Sequence, residues 1–240
     1  MNLERLEAEI SLVLNEEQFQ KLLRDWINEA VLEIATEFEL PTLKSPTAYK
    51  FQTEKNNWLL PFPKEANFHK KVFLAMDSRW NPILCEINGL EIDIQYLNEL
   101  EQQHIAHGDH VEIVATTNFE GTDYLGYYPR ATETIHIWFY VKPKPLMKPE
   151  DVPVCIPPAY REKVIVPLVI VKGLERLQDL IETPDPRQLE YWRALYKEGL
   201  YGSPGGSIGM VHYLAKTKGG PRRHGGRDPI GPGRYYRGYY

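Results

Sequence analysis

Helical periodicity at both ends of the chain and strand periodicity in its middle restrict the folds open to it. Residues 26–35 read Trp-Ile-Asn-Glu-Ala-Val-Leu-Glu-Ile-Ala, a dense amphipathic helix. About a hundred residues later, WFYVKPKPLMKPEDVPVCIPPAY at 138–160 runs from a strand through a proline-punctuated stretch into another helical region. Isolated amphipathic helices are unstable until their apolar faces are covered. The helices before the β region and those after it therefore need each other.

Leu3, Leu6, Ile10, Val13 and Leu14 recur at helical spacing. A second helix is predicted from about Glu16 to Glu39, its apolar face including Phe19, Leu23, Trp26, Ile27, Ala30, Ile34 and Phe38. Asn15 and Gln18 have the spacing of a weak capping box, and Pro41 stops the helix. From Pro46 to Lys142 short alternating runs predict strands at 49–53, 58–62, 71–76, 83–87, 111–116 and 134–141. Asn88-Gly89 predicts a hairpin turn, while 77–82 and 118–123 read as loops. Residues 97–107 read as either a short helix or a long loop.

Pro158 then opens a helix from Ala159 to about Glu182, broken or kinked at Pro167, with Gly173 as a site of close packing. Pro184-Asp-Pro186 leads into another helix, Arg187–Leu200, which Gly202 ends. The expected fold is α+β. Residues 1–45 and 147–201 form a discontinuous helical bundle, 46–146 an inserted antiparallel β-sandwich or barrel, and 202–240 an extended C-terminal arm rich in Gly, Arg and Tyr.

Function classes narrow by what the residues can do. Cys85 and Cys155 each stand alone, which fits buried thiols in a reducing compartment. The first ten residues are charged and amphipathic, unlike a secretory leader, and no run reaches the roughly 18 apolar residues of a spanning helix. Synthesis in the cytoplasm and no membrane partner are expected. His104, His107 and His110 have metal-ligand spacing, but Gly108 interrupts any helix through all three and no fourth ligand is nearby. A polar loop is the expected reading. GSPGGSIG lacks the Lys-Ser/Thr pair of a phosphate-binding loop, and the acids of the first two helices fall on a solvated face. No catalytic residue, metal or cofactor is expected, and the chain is not read as an enzyme.

Charge is unevenly spread. Residues 216–240 hold seven Lys and Arg against Asp228, a net +6, so the total of −5 leaves −11 on residues 1–215. Arg222, Arg223, Arg227, Tyr235, Tyr236, Tyr239 and Tyr240 admit two functional readings. Arginine on phosphate with tyrosine stacked on bases would make a nucleic-acid-binding packaging or regulatory protein. Tyrosine anchors with arginines on carboxylates would make a protein-docking arm. A solvated tail without a role is the third.

DWINEAVLEIATEFELPTL, IHIWFYVKPKPL and VCIPPAYREKVIV together resemble the head-to-tail adaptor (neck, connector) proteins of tailed bacteriophages, in the form whose helical bundle carries an inserted β domain. The matching residues are Trp26, Ile27, Asn28, Glu29, Ala30 and Glu33, then Trp138, Tyr140, Pro143, Pro145, Ile156, Pro157 and Tyr160. The resemblance spans roughly residues 3–200, with extra length at 97–108 and 117–128, and none of its motifs lies beyond Gly202. It implies a structural virion protein in the neck: a ring, twelve-fold in the family, beneath the portal. Such a ring bridges portal protein to a tail or nozzle protein and lines the channel through which double-stranded DNA passes. The C-terminal arm would bind the portal.

Overall fold

The apolar stripe at the N-terminus folds as the spacing predicts, because its buried positions return every three or four residues. The computed structural model describes residues 1–14, 22–87, 90–103, 108–178, 186–203 and 206–217. Helix α1 (Leu3–Ser11) is capped by Asn2, whose side chain accepts from the Arg5 N–H at 3.2 Å, and it buries Leu3, Leu6 and Ile10. Helix α2 (Leu23–Glu37) is shorter than the predicted Glu16–Glu39; Phe38 is already extended, and the expected cap at Asn15 and Gln18 lies outside the described residues. A 3-10 turn at Pro41–Leu43 follows.

Among the described residues nine strands come next: β1 (Tyr49–Gln52), β2 (Leu59–Pro61), β3 (Phe68–Met76), β4 (Pro82–Ile83), β5 (Glu86–Ile87), β6 (Leu90–Glu91), β7 (Ile113–Phe119), β8 (Thr122–Tyr128) and β9 (Thr134–Val141). Helix α3 (Ile94–Gln102) stands between β6 and β7, which settles the helix-or-loop alternative for that region. The strands form a four-stranded sheet ordered β1-β9-β3-β4, a three-stranded sheet ordered β2-β8-β7, and the β5-β6 hairpin. All of these pairings are antiparallel. The two larger sheets share one core, with Phe51, Val72, Ile135, Ile137 and Phe139 from the first meeting Val114, Leu125 and Tyr127 from the second. Helix α3 roofs the outer face of the three-stranded sheet through Leu97 against Ala115.

The loop predicted at 118–123 is instead the turn of the β7–β8 hairpin, and 122–128 is a strand. Glu120 and Gly121 turn it with φ of 50° and 77°. Gly126 hid this strand from the sequence reading, since glycine weakens strand propensity. Its bare Cα has a packing reason: a Cβ there would stand 2.3 Å from Ile94 Cδ1 of α3.

After the sandwich the chain returns through Lys142–Pro157 and a 3-10 turn at Pro158–Tyr160 to α4 (Arg161–Gln178), α5 (Pro186–Tyr201) and α6 (Met210–Thr217). Helix α6 corrects the expectation of an arm extended from residue 202: Met210 and Leu214 are buried in the helical core. That core joins α1, α2, α4, α5 and α6 in one apolar cluster, with Ile165, Val169 and Ile170 of α4 fully buried within it. The two ends of the chain thus share a core that the β strands interrupt only in sequence.

Helix α4 runs through Pro167 rather than breaking there. A proline at 167 has no N–H to give the Lys163 carbonyl one turn earlier. Helix α5 approaches at this carbonyl, and a Cβ on Gly199 would lie 2.3 Å from Lys163 O. Backbone closeness of that kind is open only to glycine. Gly199→Ala should therefore force α4 and α5 apart and lower stability by about 1–3 kcal/mol, measured by chemical denaturation. Gly173→Ala meets only Leu14 and Trp26 side-chain ends, which can give way, and should cost less; equal losses would contradict this packing argument.

Candidate assembly interfaces

The motif residues of α2 hold the molecule together from inside. Asn28 points across the bundle at the returning chain, where its Nδ2 donates to Leu146 O at 3.1 Å and its Oδ1 accepts from Leu146 N at 2.7 Å. One amide side chain thereby satisfies both backbone groups of a buried residue, as a neighbouring strand would. Pro143 and Pro145 remove two backbone donors just before it. Arg24 Nη1 donates to Met147 O at 3.2 Å. Leu3 N and Glu4 N, which have no partner within α1, donate to Asp151 O and Pro149 O at 2.8 and 3.1 Å. The Asp151 carboxylate accepts from Met147 N and Lys148 N, and these bonds hold its pKa below the usual range. The proline stretch is therefore a strap hydrogen-bonded to both N-terminal helices.

Other motif residues work beside it. Glu29 pairs with Arg176 of α4 at 2.8 Å, and that guanidinium lies 5.1 Å from the Trp26 ring centroid. Pro157 leads into the 3-10 turn that carries Tyr160, whose hydroxyl donates to Ile208 O at 3.0 Å while its ring meets Tyr213 of α6 at 5.4 Å. Tyr160 thus fastens the loop before α6, and α6 itself, to the bundle. Asn28→Ala should leave the Leu146 N–H and C=O without partners and cost about 1–3 kcal/mol. Urea denaturation reads this; Asn28→Asp, which keeps only the acceptor, should fall between wild type and Ala.

A second set of polar contacts joins sandwich to bundle. Lys70 of β3 donates to Ala35 O at 2.8 Å and Phe38 O at 2.6 Å, closing the carbonyl end of α2 with a cation. Lys71 bridges Glu39, just beyond α2, and Glu86 of β5. Tyr140 of β9 donates its hydroxyl to Glu39 at 3.2 Å, and burial together with that carboxylate pushes the phenol well above its ordinary pKa. Adjacent lysines reach these partners because register shifts between Phe68 and Leu74 break the alternation of β3.

The outer face of the four-stranded sheet meets the bundle at Phe73 and Tyr140, and further along β3 and β9 its residues lie outside both main cores. Leu74 and Trp138 are register partners there, as are Met76 and His136, and all four are half-buried outside both main cores. Beside them Trp80 sits in a turn at φ 66°, a conformation few bulky residues adopt, with its indole 4.9 Å from the His136 ring. Trp80 remains 60% exposed. Asp77 holds the turn, accepting from Arg79 N and Asn81 N at 2.8 Å and from Asn81 Nδ2 at 2.7 Å. Burial alone would raise the Asp77 pKa, but the Asn81 and Arg79 hydrogen bonds outweigh it and hold it below the ordinary value. A depressed pKa makes this stabilisation present above about pH 4 and lost as pH falls through the lowered value. With 5-fluorotryptophan in place of the five tryptophans, the Trp80 resonance should move in acid before the global unfolding transition. Asp77→Ala should place it at the acid-shifted position already at pH 7. Trp80 was not singled out by the sequence reading. The Asp at the head of the 77–82 turn was the available signal, since aspartate readily bonds backbone two residues on.

Of the histidine motif only His110 lies among the described residues. His110 Nδ1 lies 3.7 Å from Glu133 Oε2, while Glu133 accepts from Val111 N. His104 and His107 lie outside the described residues, and among the described residues no group of three His, Cys, Asp or Glu could hold a metal ion. Cys155 is buried and its thiol pushed up to about 11 by burial; Cys85 is likewise at about 11. Arg222, Arg223, Arg227, Tyr235, Tyr236, Tyr239 and Tyr240 also lie outside the described residues. No helix among the described residues is long and apolar enough to cross a membrane.

A helical core split by an antiparallel sandwich, braced by a proline strap and offering bare faces, is the build of a structural connector. The chain belongs to the SU10 adaptor protein family, whose model matches residues 1–207, and is thus a phage structural adaptor of the head-to-tail kind. No curated protein matches it.

Proposed function

We propose that the protein forms a ring of twelve copies beneath the portal in the virion neck, joining portal to tail and lining the channel through which DNA passes. The family match over residues 1–207 carries this reading. The bundle, residues 1–45 with 147–201 and α6, builds the ring wall, and the sandwich, 46–146, projects from it. Charge agrees with a channel: −11 on residues 1–215 repels DNA phosphates, so the genome slides rather than sticks. Residues 218–240 serve as the portal-binding arm, with arginines for carboxylates and Tyr235, Tyr236, Tyr239 and Tyr240 as anchors.

Because α6 belongs to the core, truncation must follow Thr217 rather than Tyr201. Protein ending at residue 217 should keep the wild-type melting temperature and lose portal binding by at least tenfold, read by co-sedimentation with portal-bearing particles. Unchanged occupancy on those particles would overturn the arm's assignment. Loss only of salt-sensitive DNA binding would favour a packaging role instead.

A further inference from the structure

Among the described residues, part of the outer face of the four-stranded sheet and one side of helix α2 stay exposed, and the two surfaces are chemically opposite. On the sheet, Leu74, Met76, Trp80 and Trp138 make an apolar and aromatic surface outside both main cores. Its cations are Lys50 and Arg79, both exposed. Away from Tyr140, which meets the bundle and Glu39, the described outward residues of β1 and β9 are Lys50, Gln52, Thr134, His136 and Trp138, none of them acidic, and Asp77 is turned in and consumed by its own loop. The opposite sheet has the matching face roofed by α3. A sandwich that covers one outer face and keeps aromatics on the other has a partner for the second.

Helix α2 offers the complement. Asp25, Glu29, Glu33 and Glu37 recur every four residues and form one exposed stripe. Beside it Leu22 and Leu32 are 44% and 42% exposed. Arg24, the helix's one basic residue, is engaged by Glu7 and Met147 O. Lys172 and Arg176 neutralise Glu33 and Glu29. Asp25 and Glu37 have no ion pair among the described residues. Burial and the neighbouring Glu33 raise the Glu37 pKa, as expected where negative charge lacks a counterion.

We propose that the bare face of the four-stranded sheet, centred on Trp80 and Trp138, docks the acidic outer face of α2 from a second copy of this chain. Charge complementarity selects that occupant. The chain's own C-terminal arm is basic and would meet Lys50 and Arg79 with like charge. Two cations are too few to hold DNA, which needs several phosphate contacts. Two unlike faces meeting copy to copy make a heterologous contact, the kind that closes a ring. Trp80 suits the centre of such a contact, being large, rigidly presented and aromatic. The inference deepens the ring reading and rests on it.

A photo-crosslinker tests it directly. Protein carrying Trp80→p-benzoylphenylalanine is mixed with an isotopically labelled copy, assembled alone or on portal particles, irradiated and mapped by mass spectrometry. Crosslinks between position 80 and peptides of residues 23–37 of the other isotope are expected. Arg79→Glu should lower the assembled fraction at least tenfold by native mass spectrometry, and adding Glu37→Lys should restore part of it. Trp80 is exposed, so Trp80→Ala should fold with an unchanged melting temperature yet assemble poorly. Normal assembly with crosslinks only elsewhere, to DNA or to another phage protein, overturns the docking but leaves the ring intact. A chain that stays monomeric even on portal particles overturns both.

Discussion

The structure depends on closing a helical core whose two halves lie on either side of a β unit in sequence. Nothing in the covalent chain brings α1 and α2 to α4. Apolar burial supplies the driving force but no direction. Direction comes from backbone hydrogen bonds to the strap at 142–157: the Asn28 amide on Leu146, and the free N–H groups of α1 on Pro149 and Asp151. These bonds fix where the returning chain lies, and so the register in which α4 enters between the N-terminal helices. The Lys70 and Lys71 contacts at the far side then limit how the sandwich can swing against that core.

Strand β9 is shared by both cores. Ile135, Ile137 and Phe139 face the sandwich, while Tyr140 is buried with the helices. A strand ordinarily turns alternate residues to two environments, and here the inner residues meet the sandwich core while Tyr140, at one end of the outer face, meets the helical core. A change in strand register at β9 would therefore expose apolar surface in both at once. Slippage is doubly disfavoured.

Much of this was legible in the residues. The Leu3, Leu6, Ile10 spacing and the α2 stripe announced helices, and the switch to alternation at Tyr49 announced the β unit. The family motifs named Asn28, Trp26 and Tyr160 without saying what they touch, because their partners lie far off in sequence: 118 residues separate Asn28 from Leu146. Strand β8 was hidden by Gly126, whose reason is a side chain on α3. Helix α6 was hidden by the glycines on either side of it, since eight residues carry little periodicity. The Trp80 turn was visible only as a loop, because exposure is a tertiary fact. The arm's role is not written in composition alone; the same arginines and tyrosines suit protein and nucleic acid.

Fastening α6 to the bundle has a consequence for the basic tail. The Tyr160 bond to Ile208 and the burial of Met210 and Leu214 move the tail's point of attachment from residue 202 to residue 217. The 23 residues beyond it span at most about 75–85 Å when fully extended. As the proposed portal arm, these residues would hold a target at high effective concentration within that radius of α6, so attachment of the arm would depend on where α6 places it.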